Sequence, residues 1–199
     1  SQTLRSQGVL LSSYYGTAHN SQPNYVAQVS GQGPNSQMQA DCQTYSNFTG
    51  SGTVAPGQAV GSGCVFPTSV PSLPDQLTGK GLSWRGYMEN MDAQKGTRPY
   101  CSNPFVTDPG TPLRTEANPD YKNKHNPWAY YHATFDRTDY CESHVVPLGY
   151  FTSPTTMQGQ LFHDLRKIQT TPKYSFLTPD QCHDGHDACA SNGNNQLAG

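Results

Sequence analysis

The stretch "SLPDQLTGKGLSWRGYMEN" (residues 72–90) decides the fold class. Ser72 and Asp75 stand at capping-box spacing, and a glycine follows the apolar positions, so a short helix is predicted there. Leu82, Trp84 and Met88 then alternate with Ser83, Arg85 and Glu89, the pattern of a half-buried strand. A helix followed at once by a strand is an αβ step, which predicts a layered α/β domain.

The flanking segments extend this pattern. "GVLLSSYYG" (8–16) opens apolar and ends in tyrosines, and reads as a strand. "SQPNYVAQVSG" (21–31) reads as a short helix with Ser21 as cap, Pro23 in the first turn and Gly31 as stop. Residues 32–63 are mostly Gly, Ser, Gln and Asn and read as a long loop. "NPWAYYHATF" (126–135) predicts a helix with Trp128, Tyr131, His132 and Phe135 on one face. "SPTTMQGQLFHDLRKIQ" (153–169) predicts a longer helix with Met157, Leu161, Leu165 and Ile168 as its stripe. "KYSFLTPD" (173–180) reads as a short strand.

Composition narrows the functional classes. The chain of 199 residues fits one domain. Charged residues are 13%, about half the usual share. The 19 glycines and 16 prolines favour ordered loops, and the 12 tyrosines, 7 phenylalanines and 2 tryptophans speak against disorder. A net charge of −2 without a basic cluster argues against nucleic-acid binding. No apolar run is long enough to span a membrane. No signal peptide is visible, which leaves the expectation that any such segment has been removed.

Cysteines stand at 42, 64, 101, 141, 182 and 189. Nearest-neighbour pairing gives Cys42–Cys64, Cys101–Cys141 and Cys182–Cys189, with free thiols as the other reading. Asn47-Phe48-Thr49 is a glycosylation sequon. Together these features predict a secreted protein.

Three stretches could carry chemistry. In "TAHNSQPNY" (17–25) Ser21 stands at a helix N-terminus, where free N–H groups and the dipole favour an anion. It is either a cap or an activated nucleophile. In "YKNKHNPWAYY" (121–131) His125 precedes a helix start beside Lys122 and Lys124, which are either anion-attracting or simply solvated. "CHDGHDAC" (182–189) offers His183, His186, Asp184 and Asp187 as metal ligands or an acid/base pair, around a turn permitted by Gly185. A polar loop held by a disulfide is the other reading, and the spacing fits no standard zinc signature.

Taken together, "SSYYGTAHNSQPNYVAQVSG", "SLPDQLTGKGLSWRGYMENM", "YKNKHNPWAYY" and "FLTPDQCHDGHDAC" resemble the phosphoesterase family of secreted acid phosphatases and phospholipases C, within the alkaline phosphatase superfamily. They are most similar to the fungal acid phosphatases. The resemblance implies part of a three-layer α/β sandwich and metal-assisted hydrolysis of a small phosphorylated substrate. It implies Ser21 as the nucleophile that forms a covalent phospho-enzyme, with Thr17 as the second choice. His125 and His186 would bind phosphate or protonate the leaving oxygen, and Asp184 would orient a histidine. His19, Asn24 and Lys124 would line the substrate pocket, and a divalent metal ion would be the cofactor.

The chain also departs from that family. Its pattern includes a first strand ending in a metal-binding Glu-Asn pair and a later strand with acidic ligands, and neither is recognised here. The Glu-Asn of "MENMD" (88–92) follows a different strand. Residues 1–199 are therefore expected to form a single domain that is an internal portion of a larger enzyme. A shortened chain, a processed enzyme and a non-catalytic glycoprotein of the same fold all stay open. So does a phospholipase C-like diesterase activity.

Overall fold

The structure, a computed structural model, describes residues 2–54, 57–91, 120–153 and 156–185. Its elements run α1 (Gln2–Gln7), α2 (Ser21–Ser30), α3 (Ser36–Gln39), β1 (Thr49–Val54), β2 (Gln58–Ser62), α4 (Leu73–Gly79) and β3 (Trp84–Met88). Two 3-10 turns, Asn123–His125 and Pro127–Tyr130, come next. They are followed by α5 (His132–Phe135), α6 (Thr138–His144), β4 (Val145–Pro147), β5 (Tyr150–Ser153), β6 (Thr156–Gln158), α7 (Gln160–Leu165) and β7 (Tyr174–Thr178).

The predicted αβ step is present as α4 and β3. The Ser72 N–H donates to Asp75 at 2.8 Å and its hydroxyl at 2.7 Å, so the cap forms as its spacing implies. β3 is the middle of a three-stranded parallel sheet of order β4-β3-β7. The strand was expected to be half-buried. It is instead buried along most of its length, with only Arg85 intermediate, because a central parallel strand is covered on both faces. β1 with β2, and β5 with β6, form separate antiparallel hairpins. Among the described residues the fold is mixed α/β.

The core lies between β3 and the aromatic segment 128–131. Trp84, Trp128, Tyr130, Tyr131 and Phe66 are all buried, each contributing on the order of 2–3 kcal/mol of transfer free energy. Trp84 and Trp128 pack at 5.1 Å between ring centres, and Phe66 stacks on Tyr131 at 5.4 Å. Gly86 makes this packing possible: a Cβ there would stand 2.2 Å from the Trp128 indole nitrogen.

Four local expectations change. Residues 8–16 form no strand. Val9, Leu10, Leu11, Tyr14 and Tyr15 are exposed and have no strand partner among the described residues. The segment 32–63 is not one loop, for it holds α3 and the β1–β2 hairpin. The helix expected over 126–135 breaks at Tyr131, whose backbone is extended (φ −133°, ψ 117°). Phe66 captures that backbone, donating its N–H to Tyr130 at 2.9 Å and accepting from His132 at 3.0 Å. The helix expected over 153–169 survives only as α7. Gly159 sits at φ +114°, which ends helical geometry and lets 156–158 fold back on β5.

Candidate functional site

The helix over 21–31 forms as expected, but its cap is Asn20 and Ser21 is the first helical residue. Gly31 closes it in the left-handed conformation. Ser21 lies one turn before Tyr25 on the same side of α2. The Tyr25 ring stacks on His125 at 5.0 Å. His125 in turn has Asp184 3.9 Å from its Nδ1, with both side chains about nine-tenths buried. Three segments distant in sequence, 21–25, 124–125 and 184, thus meet along the first half of α2, with His125 and Asp184 gathered at Tyr25.

The Asp41 carboxylate joins two of them. One oxygen accepts the Gln22 N–H at 2.9 Å and the other accepts the Lys124 ammonium at 2.9 Å. Asn24 is committed to local structure. Its amide accepts from the Thr17 N–H at 2.7 Å and donates to the Ala18 and Asn20 carbonyls at 3.0 and 2.7 Å, tying loop 17–20 to the helix. His19 is exposed on that loop.

Burial drives the His125 pKa down to about 4, helped by Lys124 and opposed by Asp184 and Asp41. His125 is therefore neutral at neutral pH. Its Nδ1 has no hydrogen-bond partner. Burial raises the Tyr25 pKa, and Asp184 raises it further.

A second cluster stands at the carboxyl ends of β3 and β7, where ligands bind in open α/β sheets. His183 Nδ1 lies 3.0 Å from Glu89 and 3.1 Å from Asp180. Asn90, in the left-handed region at φ 58°, donates its side-chain amide to Asp180. The Asp180 N–H donates to Glu89 at 3.0 Å. Asp180, Cys182 and His183 bring donor atoms within 4.8 Å of one another, but Cys182 is disulfide-bonded and offers no thiolate. Asp180 and His183 remain of that group, and Glu89 adjoins His183, so the neighbourhood offers two carboxylates and an imidazole, donors of the kind a divalent cation takes. Sequence reasoning set Glu89 aside and missed Asp41. The signal for Glu89 was its place just after a strand, whereas Asp41 carried none.

Cys42 and Cys64 form the expected disulfide. Cys141 and Cys182 are also disulfide-bonded. Their expected partners Cys101 and Cys189 lie outside the described residues, as does His186. Asn47 is exposed, with its carbonyl oxygen 2.8 Å from His132 Nε2. No helix among the described residues is long and apolar enough to cross a membrane.

Comparison with known proteins adds a family. The model of the Phosphoesterase family matches residues 1–198. The chain is 28% identical over 184 residues to an acid phosphatase of Aspergillus fumigatus, covering 92% of this chain and 31% of that protein. It is 26% identical over 184 residues to a probable acid phosphatase of Kluyveromyces lactis, covering 92% and 33% respectively. A phosphate-repressible acid phosphatase of Penicillium chrysogenum is 25% identical over 186 residues, covering 92% and 34%. The chain thus spans about a third of the length of these relatives. No solved structure matches it.

Proposed function

We propose, since the chain belongs to the phosphoesterase family, that it carries the nucleophile and phosphate pocket of a phosphate-ester hydrolase of acid phosphatase type. The observation that carries this reading is the meeting of the first half of α2 with Lys124, His125 and Asp184. A helix start and an ammonium group favour the phosphate dianion. Ser21 Oγ attacks phosphorus and gives up its proton, the P–O bond to the alcohol breaks as the leaving oxygen takes up a proton, and a phosphoserine forms. Water then attacks that phosphorus and releases inorganic phosphate and Ser21.

Neutral His125 suits a hydrogen bond to a phosphate oxygen. Its protonated form, able to protonate the leaving oxygen, accumulates only as the pH falls toward 4. Leaving-group protonation by His125 therefore implies turnover that rises into that range. Asp184 orients the ring, and Asn24 acts by shaping the loop before Ser21. His19 and His186 are assigned to the pocket by the family resemblance. Glu89, Asp180 and His183 would hold the divalent cation. When bound it would stabilise negative charge on the transferring phosphoryl group. The family resemblance supports a three-layer sandwich as the complete fold. The disulfides and the exposed sequon at Asn47 support secretion.

The test uses the full-length protein with p-nitrophenyl phosphate at acid pH. Ser21→Ala is expected to abolish turnover and the acid-stable phosphoserine seen after rapid quenching. Undiminished turnover by that variant would remove Ser21 from the reaction. A set of phosphodiesters run alongside reports whether diesters are also cleaved.

A further inference from the structure

We propose that Asp41 is a positioning residue, whose carboxylate pins the Lys124 ammonium against the first turn of α2, so that the cation meets phosphate bound beside Ser21. The inference rests on the hydrolase reading above. Asp41 uses both oxygens, one on the Gln22 N–H and one on Lys124 Nζ, each at 2.9 Å. Its side chain is 8% exposed and that of Lys124 is 35% exposed, so the pair lies at the edge of the buried site with the cation on the outer side.

A lone lysine is a mobile point charge on a four-carbon stem, and placing it costs rotamer entropy. Here the carboxylate has already placed it. The ammonium has three N–H donors, so one bond to Asp41 leaves two for phosphate oxygens. The pairing also neutralises a carboxylate that would otherwise repel an anion at this helix end.

The backbone that aims Asp41 is unusual. Asp41 and Cys42 are consecutive non-glycine residues in the left-handed region, at φ 57° and 50°. Such geometry persists where surrounding structure enforces it. The Asp41 N–H donates to the Met38 carbonyl and the Cys42 N–H to Gln37, both at 2.9 Å, and Cys42 is anchored to Cys64. An asparagine could accept the Gln22 N–H equally well. Only the acid can also hold the lysine by charge.

The experiment compares Asp41→Asn, Lys124→Met and the double variant in the full-length protein. Asp41→Asn keeps an acceptor for α2 and removes the charge. KM for p-nitrophenyl phosphate and the inhibition constant of inorganic phosphate should both rise about tenfold with kcat within about twofold, the signature of lost uniform binding. The double variant should be no worse than Lys124→Met alone. A fall in kcat or melting temperature with KM unchanged would show a merely structural residue and overturn the proposal, as would additive effects on KM. If the wild-type full-length protein shows no turnover of p-nitrophenyl phosphate, the hydrolase reading falls instead. The pin is then judged by urea unfolding of the same variants, where additive losses overturn it and non-additive losses sustain it.

Discussion

Acid should destabilise this protein through one buried imidazole. The folded His125 has a pKa of about 4, against 6.5 when unfolded. Between those values the unfolded chain binds a proton that the folded chain refuses, so stability falls as pH drops from 6.5 to 4 and is flat above 6.5. At 1.36 kcal/mol per pH unit the gap is worth about 3 kcal/mol. The perturbation is His125→Gln, which keeps a polar side chain and removes the titration. Urea unfolding of both proteins at intervals from pH 4 to 7.5, with disulfides intact, gives two stability curves. Carboxylates contribute nearly equally to both, so their difference isolates His125. The wild-type protein should lose about 3 kcal/mol more than the variant across this range. Parallel curves would refute the reasoning, because they would mean that the folded ring takes up its proton as easily as the unfolded one.

Further outcomes follow from other contacts. Asp184→Asn removes an influence that raises the His125 pKa, so NMR titration should place that pKa below the wild-type value. Gly86→Ala drives a methyl group into the Trp128 indole and should cost about 3 kcal/mol in denaturant unfolding. Asp164 is buried, and although burial alone would raise its pKa, hydrogen bonds from Tyr87, Arg85 and Gln160 hold it below the usual value. Asp164→Ala leaves the Tyr87 hydroxyl and the Arg85 guanidinium without this partner and should cost about 3–5 kcal/mol, read as a lowered urea midpoint.

What was legible in the sequence follows the range of the forces involved. The α4 cap, the presence of a strand at β3 and the Gly31 stop depend on residues within a few positions of one another, and all three are found, whereas the burial of β3 on both faces depends on its distant neighbours β4 and β7. The breaks at Tyr131 and Gly159 depend on partners elsewhere. Tyr131 leaves its helix because Phe66, far earlier in the chain, takes its neighbours' backbone groups. Met157 fits a helical stripe by spacing, yet lies on β6 and pairs with Phe151. The site behaves similarly. Ser21, Lys124, His125 and Asp184 could be singled out by residue type and local context. Asp41 could not, since its importance comes from a turn that brings it to Lys124 across 83 positions.

The Cys42–Cys64 crosslink has a consequence for biogenesis. It joins residues only 22 apart, and everything it fixes at the head of α2 lies upstream of Val65. At about 5–20 residues per second, the ribosome needs roughly 3–12 seconds to add the next 60 or so residues and reach Lys124. An oxidase acting on the nascent chain would therefore fix Asp41 against the first turn of α2 before Lys124 and His125 have been synthesised. Late-arriving segments would then dock onto a finished template, and a mispaired disulfide would displace Asp41 before its partner Lys124 exists.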